Sequence, residues 1–391
     1  MLFRSRRVRD FTECAAQQGL SGSFAITLMG QAHLTATAGV IAGGTTLGPA
    51  MTESTLTGDD VLAAIDHCYE MGWAADGLPV VPPEQSRVAA MAAMDARPPQ
   101  TVLASHAATG TACTIANAAV NAVMAGCKPE YFPVVVAALE AMNHPDFTFH
   151  GSTASTGGSA HLLVVSGPVV HDIGMNPDGN VLGPGNRANA TIGRAIRLII
   201  MNVFGMLPGI TDQSTQGTPA KYSACVAERQ DVNPWAPLNV ELGYPAEVST
   251  VTVFAGSGFI NCENHGGNTP EAVLGTIADA MANLGTFSAG QSVVLLAPEH
   301  VAIIAAAGWS KAQVRQYLYN HAKRPSADLV RVMKATPSGV GASDHVHRGK
   351  GPDDILLTVA GGLAGGHSTL VTSWSRGRAS IMQSRPIGVH L

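Results

Sequence analysis

The sequence predicts an α/β protein of two similar α/β halves around a central cleft. Short β-branched runs alternate with segments of helical character, an order that is typical of layered α/β folds. A spacing also recurs, because Thr101 stands twelve positions before Cys113 and Thr250 stands twelve positions before Cys262. The chain has 391 residues, of which 46% are hydrophobic, so it can bury one large core or two ordinary ones.

The predicted elements follow each other in chain order. A Thr-Gly-Asp-Asp sequence at 57–60 caps a first amphipathic helix, and a Pro/Gly loop at 72–83 leads into a second helix. The rest of the first half is predicted to contain an apolar run at 101–104, helices at 115–124 and 133–142, a buried strand at 161–170 and a helix at 189–203. The second half is predicted to contain strands at 251–254, 293–296 and 355–359 and helices at 269–284 and 311–322.

The recurring spacing indicates an internal duplication, with an N-terminal half over 51–245 and a C-terminal half over 246–391. A pseudo-twofold axis between such halves would bring Cys113 and Cys262 to one cleft, where ligands commonly bind. Chance matching of small residues is the alternative explanation of the same pattern.

Residues 1–50 differ from the rest of the chain. Four arginines, Arg4, Arg6, Arg7 and Arg9, outnumber the acidic residues of this segment, and no compact apolar stretch follows them. We expect an extension that is disordered or that precedes the true start at Met51.

The composition excludes several classes of function. Only 13% of residues are charged, the net charge is −5, and no Lys/Arg run is longer than a pair, so nucleic acid is not an expected partner. No apolar stretch reaches about 18 residues, the length of a membrane span. The 6 cysteines include no CxxC pair, which favours a cytoplasmic protein without a disulfide framework. A monomer of this size normally exposes more charged residues, so the low charge content also predicts that part of the surface is buried between subunits of a homo-oligomer.

The densest group of reactive residues lies at 259–268, where Cys262, Glu263 and His265 precede a Gly-Gly pair. An imidazole beside a thiol favours a thiolate, so Cys262 is the candidate nucleophile and Glu263 and His265 are candidate acids or bases. The same three side chains can ligate zinc. Successive residues of a strand point to opposite faces, so convergence requires the chain to turn here. A polar loop around a buried, inert thiol is the alternative.

Cys113 is predicted at the entrance of the helix at 115–124, where the helix dipole and free N–H groups lower a thiol pKa. We expect it to supply a second thiol to the catalytic centre. Packing without chemistry is the alternative for a cysteine at a helix start.

The hydroxyl-rich segment 149–159 is predicted to be a loop that binds a carboxylate through its N–H groups and hydroxyls. The candidate residues there are Ser152, Thr153, Ser155 and Ser159. A second anion site is predicted at a helix entrance, where Asn186 and Arg187 combine charge with the helix dipole. Arg194 and Arg197, further along that helix, are expected to form ion pairs with other helices or subunits.

Lys221 and Glu228 belong to another polar cluster. Lys221 and Cys225 are spaced i,i+4 and are predicted to share one face of a helix, with Glu228 three residues further on. A Lys/Glu pair suits acid–base chemistry on a bound substrate. An exposed helix is the alternative.

Three histidines near the C-terminus are candidate metal ligands together with Cys262, Glu263 and His265. On a strand, His345 and His347 would point both imidazoles to one face, which is common in zinc and iron sites. His367 follows a Gly-Gly pair. A mobile loop is the alternative environment for all three.

Several stretches, taken together, resemble a bacterial family associated with UGSC-motif (seleno)proteins. They are 72–88, 121–133 (NAVMAGCKPEYFP), 183–197, 228–238, 308–310 and 361–367. The resemblance extends over 51–391, although the chain contains no UGSC sequence. It implies thiol or selenol chemistry nearby and carries no established reaction.

These observations predict an enzyme that cleaves a carbon–heteroatom bond, by hydrolysis or elimination, in a small carboxylate-bearing metabolite. Cys262 would act as the nucleophile, with Glu263 and His265 as acid and base and Cys113 as the partner thiol. The expected cofactor is none, or a divalent metal, Zn or Fe. Two alternatives stay open: a Zn- or Fe-dependent hydrolase or lyase with Cys/His/Glu ligands, and a non-catalytic subunit of a redox or selenoprotein partner.

Overall fold

The computed structural model describes residues 25–31, 46–47 and 51–57 by their backbone, and residues 61–341, 343–375 and 379–388 in full. Two strands fall within the predicted extension, Ala25–Gln31 and Thr46–Leu47. The first pairs with Met51–Thr57 and the second with Thr111–Thr114. The remainder of 1–50 lies outside the described residues.

A mixed seven-stranded sheet forms the centre of the fold. The strands in the described chain are β1 (Ala25–Gln31), β2 (Thr46–Leu47), β3 (Met51–Thr57), β4 (Val102–His106), β5 (Thr111–Thr114), β6 (Ala160–Ser166), β7 (Cys225–Ala227), β8 (Thr250–Glu263), β9 (Ser292–Leu296), β10 (Lys323–Pro325), β11 (His345–His347), β12 (Ile355–Val359), β13 (His367–Ser373) and β14 (Gln383–Pro386). The large sheet has the order β12-β9-β13-β8-β6-β7, with β14 also paired to β8. Its β6·β7 and β9·β12 pairs are parallel and its other pairs antiparallel. The smaller sheets are β1-β3, β2-β5-β4 and β10-β11.

Helices cover the sheet and carry recognisable caps. They are α1 (Val61–Glu70), α2 (Gln85–Ala92), α3 (Ile115–Ala125), α4 (Phe132–Met142), α5 (Phe149–Ala154), α6 (Val169–Asp172), α7 (Arg187–Asn202), α8 (Leu238–Glu241), α9 (Pro270–Met281), α10 (Pro298–Ala306), α11 (Lys311–His321), α12 (Ser326–Arg331) and α13 (Pro337–Val340). Thr114 and Asn186 accept backbone N–H bonds at the starts of α3 and α7, and Gly126, at φ 92°, ends α3. No helix in the described residues is long and apolar enough to cross a bilayer.

Successive residues of a strand point to opposite faces of its sheet. On β6 both sets of side chains are apolar, so the large sheet is buried on both faces. Leu163 and Val165 pack with α3, α4 and α7, whereas Leu162 and Val164 pack on the other face with Phe254. A further core lies between α9, α11, β9 and β12. The packing of α7 against this framework fixes one wall of the cavity described below.

The α/β fold class predicted from the sequence is confirmed, and the longer predicted helices lie within a few residues of their expected bounds. Two local predictions are wrong. Residues 149–154 form the helix α5, not a loop, because Phe149 packs edge-on against Phe204 and His161. Lys221 ends a 3₁₀ turn and Cys225 begins β7, where it pairs with β6, so the two side chains share no helix face.

The internal duplication and the central cleft are not confirmed. Residues 102–114 form the hairpin of β4 and β5, whereas the matching segment 250–263 is the single strand β8. Strand β8 pairs with β6 on one side and β13 on the other, so a single sheet contains strands from both predicted halves.

Candidate active site

A cavity of about 600 Å³ lies between α7 and the loop that precedes β7, a size that suits a small-molecule ligand. The polar residues on its wall include Asp76, Arg197, Asp212, Ser214, Lys221 and Tyr222. We call this cavity the Lys221 pocket. It contains one of the predicted substrate-binding residues, Lys221, and several residues that the sequence did not single out.

Asp212 is the centre of a charged cluster on the pocket wall. Its Oδ2 accepts bonds from the ammonium of Lys221 at 2.6 Å and the guanidinium of Arg197 at 3.0 Å. The Ser214 hydroxyl donates to Asp212 Oδ1 at 2.5 Å and accepts from Lys221 at 2.5 Å. Lysine, serine and aspartate therefore contact one another, an arrangement in which a proton can pass between them.

Burial and charge shift the pKa values of this cluster in definite directions. Burial by itself would raise the pKa of Asp212, but hydrogen bonds from Lys221, Ser214 and Arg197 outweigh it and hold this pKa at about 2. Burial lowers the pKa of Lys221, and Arg197 adds to the shift, while Asp212 opposes it. Lys221 is thus closer to releasing its proton than a solvated lysine is.

His161 and Ser152 lie behind the pocket wall. The Nε2 atom of His161 is 2.9 Å from Ser152 Oγ, and Ser152 Oγ also donates to the carbonyl of Phe149. Burial lowers the pKa of His161 to about 3, and the charges of Arg197 and Lys221 contribute to the shift. The imidazole is therefore neutral at neutral pH.

The predicted anion-binding segment and the pocket loop contact each other directly. The N–H of Thr215 donates to the carbonyl of Thr156 at 3.0 Å, and Ser155 Oγ accepts from the indole of Trp374 at 2.5 Å. Thr153 points elsewhere, since its hydroxyl bonds backbone carbonyls of α5 and lies 3.3 Å from His106. Of the predicted group, Ser155 contacts the pocket loop directly, because its carbonyl accepts from Ser214 Oγ at 3.2 Å, but none of the four residues lines the Lys221 pocket.

Gly158 allows the close approach of the two loops. It has φ 70°, and a Cβ placed there would lie 3.1 Å from the Cα of Gly217. Gly217 has the same φ of 70° and nothing within 4 Å of an added Cβ.

We expect Gly158→Ala to lower the free energy of unfolding by about 2 kcal/mol, because it adds a steric clash to backbone strain. Gly217→Ala is the matched control and should cost only about 1 kcal/mol, the strain alone. Urea unfolding of both variants at neutral pH measures the difference. Equal losses would show that the contact between the loops does not constrain position 158.

Arg194 and Arg197 both form ion pairs, as expected, but with loop residues. Arg194 donates two hydrogen bonds to the carboxylate of Asp76, at 2.7 and 3.1 Å, and also donates to the carbonyls of Leu78 and Pro79. Arg197 bonds Asp212. These two pairs anchor the loops on either side of the pocket to one face of α7.

Asn186 and Arg187 lie at the start of α7, away from the pocket wall. The Asn186 side chain caps the helix by accepting from Asn189 N at 3.0 Å, and Arg187 Nε donates to the carbonyl of Gly126 at 2.9 Å. Both side chains therefore have structural contacts, and the structure does not bring them together with Lys221.

Glu228 lies at another place, at the end of β7, and is 1% exposed. Its carboxylate accepts from Leu238 N at 2.9 Å and from Thr358 Oγ1 at 3.0 Å, and it also contacts Ser166 Oγ. This network joins β6, β12 and the start of α8. Glu228 is thus a buried structural carboxylate in this structure, and it forms no pair with Lys221.

The two predicted catalytic cysteines are buried in different cores. Cys113 packs on β5 with α3 and α4, whereas Cys262 packs on β8 against α9. Burial raises the pKa of both thiols, and for Cys262 the value is about 11. The structure does not bring the two sulfur atoms together.

We expect Cys262 to react very slowly with iodoacetamide at pH 8 in the folded protein. A thiol with a pKa of about 11 is thiolate in only about one molecule in a thousand at that pH. Mass spectrometry of the peptide that contains Cys262, with and without urea, compares folded and unfolded reactivity. Fast labelling without urea would restore the thiolate nucleophile as the leading mechanism.

Glu263, His265 and His367 come together where β8 ends and β13 begins. Glu263 pairs with His367 across the strands, the His265 and His367 rings are 4.8 Å apart, and Glu263 Oε1 is 3.8 Å from His265 Nε2. The strand continues through Glu263, so Cys262 faces the core and Glu263 faces solvent. The predicted convergence of Cys262 with Glu263 and His265 is therefore wrong, because the turn begins only after Glu263.

His345 and His347 lie on β11, which pairs with β10, and the ring of His347 stacks on Tyr319. They take no part in the group formed by His265 and His367. Within the fully described ranges, no three His, Cys, Asp or Glu side chains are arranged to hold a metal ion.

Sequence analysis missed Asp212, Ser214 and the pocket role of Arg197. One signal was available, because Asp212, Ser214, Thr215 and Thr218 form a short run of carboxylate and hydroxyl side chains around Gly217.

No protein-family model matches this chain, and no curated protein is significantly similar to it.

Proposed function

We propose that this protein is an enzyme that binds a small carboxylate-bearing metabolite in the Lys221 pocket and cleaves a carbon–heteroatom bond in it, by hydrolysis or elimination. The observation that carries the proposal is the mutual contact of Lys221, Ser214 and Asp212 on the wall of a cavity of ligand size. Buried titratable groups with shifted pKa values in a cavity are typical of catalytic sites.

The charge of the pocket supports an anionic ligand. Arg197 and Lys221 share a single carboxylate, Asp212, so one positive charge remains while Lys221 is protonated. A substrate carboxylate would neutralise it through charge-assisted hydrogen bonds, which are stronger than neutral ones.

Lys221 is the proposed acid and base. For elimination, its neutral amine takes a proton from the carbon beside the carboxylate, and the heteroatom leaves with the bonding electrons. For hydrolysis, it takes the proton of Ser214, whose oxygen attacks the substrate carbon; the leaving group receives that proton, and water then releases the product. Burial and Arg197 lower the pKa of Lys221, so less free energy is needed to form the neutral amine that both routes require.

This proposal places the chemistry on Lys221 instead of Cys262, because a buried thiol with a raised pKa is a poor nucleophile. We also propose that the protein is a cytoplasmic homo-oligomer without nucleic-acid partners, on the grounds of its low charge content and its cysteine pattern. The thiol or selenol chemistry implied by the resemblance to UGSC-associated proteins stays a prediction.

The test is turnover in a mixture of cellular metabolites, followed by mass spectrometry. Elimination yields two products whose masses sum to that of the substrate, whereas hydrolysis adds the mass of one water. We expect Lys221→Met to abolish consumption of the carboxylate and Cys262→Ser to retain it. The reverse result would favour an enzyme in which Cys262 is the nucleophile. No consumption of any carboxylate by the wild type would favour the non-catalytic subunit.

A further inference from the structure

A second, much smaller cavity lies directly behind the Lys221 pocket. Its volume is about 10 Å³, which is the space that one water-sized sphere occupies. Its wall includes Ser159, His161, Arg197 and Lys221, and the last two also line the larger pocket. We call it the rear cavity.

The wall of the rear cavity contains one buried hydroxyl without a hydrogen-bond partner among the described residues and two cations with N–H groups to spare. Ser159 is 2% exposed, and its hydroxyl has no hydrogen-bond partner among the described residues. The ammonium of Lys221 carries three N–H groups and bonds two acceptors, Asp212 and Ser214. The guanidinium of Arg197 carries five and bonds Asp212 alone within the described part of the chain.

The charges around the rear cavity do not cancel. The two cations on its wall, Lys221 and Arg197, share a single carboxylate, Asp212. His161 adds no negative charge, and its Nε2 atom already forms a hydrogen bond with Ser152 Oγ. A buried cation without a counter-charge is costly, so an anion in this space would stabilise the arrangement.

We propose that the rear cavity binds one monatomic anion of the halide class, held by Ser159 Oγ, Lys221 and Arg197. This goes beyond the proposed function, because the rear cavity is too small for a carboxylate metabolite and would hold an ion that takes no part in bond cleavage, although it shares Lys221 and Arg197 with the Lys221 pocket. Water fits the same volume, but water would leave the surplus positive charge in place.

A bound halide would favour the protonated form of Lys221, since an adjacent negative charge stabilises an ammonium. Halide concentration would thereby set the fraction of Lys221 that is able to act as a base.

Bromide is the probe, because its anomalous scattering distinguishes it from water. We expect crystals soaked in sodium bromide to show one anomalous peak in the rear cavity, within hydrogen-bond distance of Ser159 Oγ and Arg197. In solution, bromide should raise the thermal unfolding temperature at constant ionic strength, with sodium methanesulfonate as the replacement salt. Absence of the peak, or a peak confined to the larger pocket, would overturn the proposal.

Ser159→Ala removes one hydrogen bond to the anion and should weaken bromide binding about tenfold. Ser292→Ala is the matched control, because Ser292 Oγ is also buried without a partner among the described residues and lines neither cavity. It should leave the bromide response unchanged. Equal responses of the two variants would overturn the assignment of Ser159.

The halide site and the proposed enzyme function can be contradicted independently of each other. Bromide bound in the rear cavity without turnover of any carboxylate would contradict only the enzyme proposal. Turnover that depends on Lys221, without bromide in the rear cavity, would contradict only the anion site.

Discussion

Lowering the pH from 7 to 5 is expected to reduce the free energy of unfolding by roughly 4 kcal/mol. The cause is a pair of buried histidines, His106 and His161, which are 1% and 8% exposed. Burial is the main reason that the pKa of His106 falls to about 4 and that of His161 to about 3. The neighbouring His150 adds to the first shift, and Arg197 and Lys221 add to the second.

The direction of the effect follows from proton binding. In the unfolded chain both imidazoles bind a proton below about pH 6.5, whereas in the folded protein they stay neutral down to about pH 4. Unfolding therefore takes up protons between these limits, so the folded state loses stability as the pH falls. Each histidine contributes about 2 kcal/mol of the loss between pH 7 and pH 5.

Urea unfolding at the two pH values measures this loss. His161→Gln removes one titrating ring, so its loss should be about 2 kcal/mol smaller than that of the wild type, whatever its stability at pH 7. His171→Gln is the control, because the His171 side chain is 98% exposed, and it should behave as the wild type does. An unchanged loss in His161→Gln would contradict the neutral, buried state of His161.

Asp212→Asn is expected to lower the free energy of unfolding by about 3 kcal/mol or more at neutral pH. Asparagine keeps the shape and one acceptor oxygen but removes the negative charge between Arg197 and Lys221. The side chains of Asp212 and Arg197 are only 2% and 9% exposed, so water does not replace the lost partner. Two buried cations would then face each other without compensation.

Glu130→Gln provides the comparison with an exposed ion pair. Glu130 and Lys128 are 46% and 48% exposed, and surface pairs of this kind contribute about 1 kcal/mol or less. Urea unfolding of both variants gives the two losses side by side. If Asp212→Asn lost no more stability than Glu130→Gln, Asp212 would not be the counter-charge of the cluster.

The longer helices were predictable because their local signals agree with their packing. Thr114 and Asn186 are good N-cap residues, and both cap helices in the structure. Helix α5 was not predictable in this way, since Gly, Ser and Thr are poor helix formers. Its formation depends on contacts of Phe149 with His161 and with Phe204, which lies far away in the sequence.

The candidate site was predictable only in part for the same reason. Lys221 and Ser159 belong to recognisable polar segments, but nothing in the sequence shows that 155–159 meets the loop that contains Asp212 and Ser214. The long-range bond from Thr215 to Thr156 brings them together. The prediction for Cys262 and Glu263 is wrong because it assumed that a turn separates two residues that remain successive members of one strand.

Binding of small carboxylates to the Lys221 pocket is the central claim, and isothermal titration calorimetry tests it most directly. The probes are succinate, lactate and N-acetylglycine, titrated into the wild type, Lys221→Met and the surface control Lys128→Met. We expect at least one probe to bind the wild type and Lys128→Met equally and Lys221→Met at least about tenfold more weakly, the effect of one lost charge-assisted hydrogen bond. Equal affinity for Lys221→Met, or no binding of any of the three to the wild type, would contradict the claim.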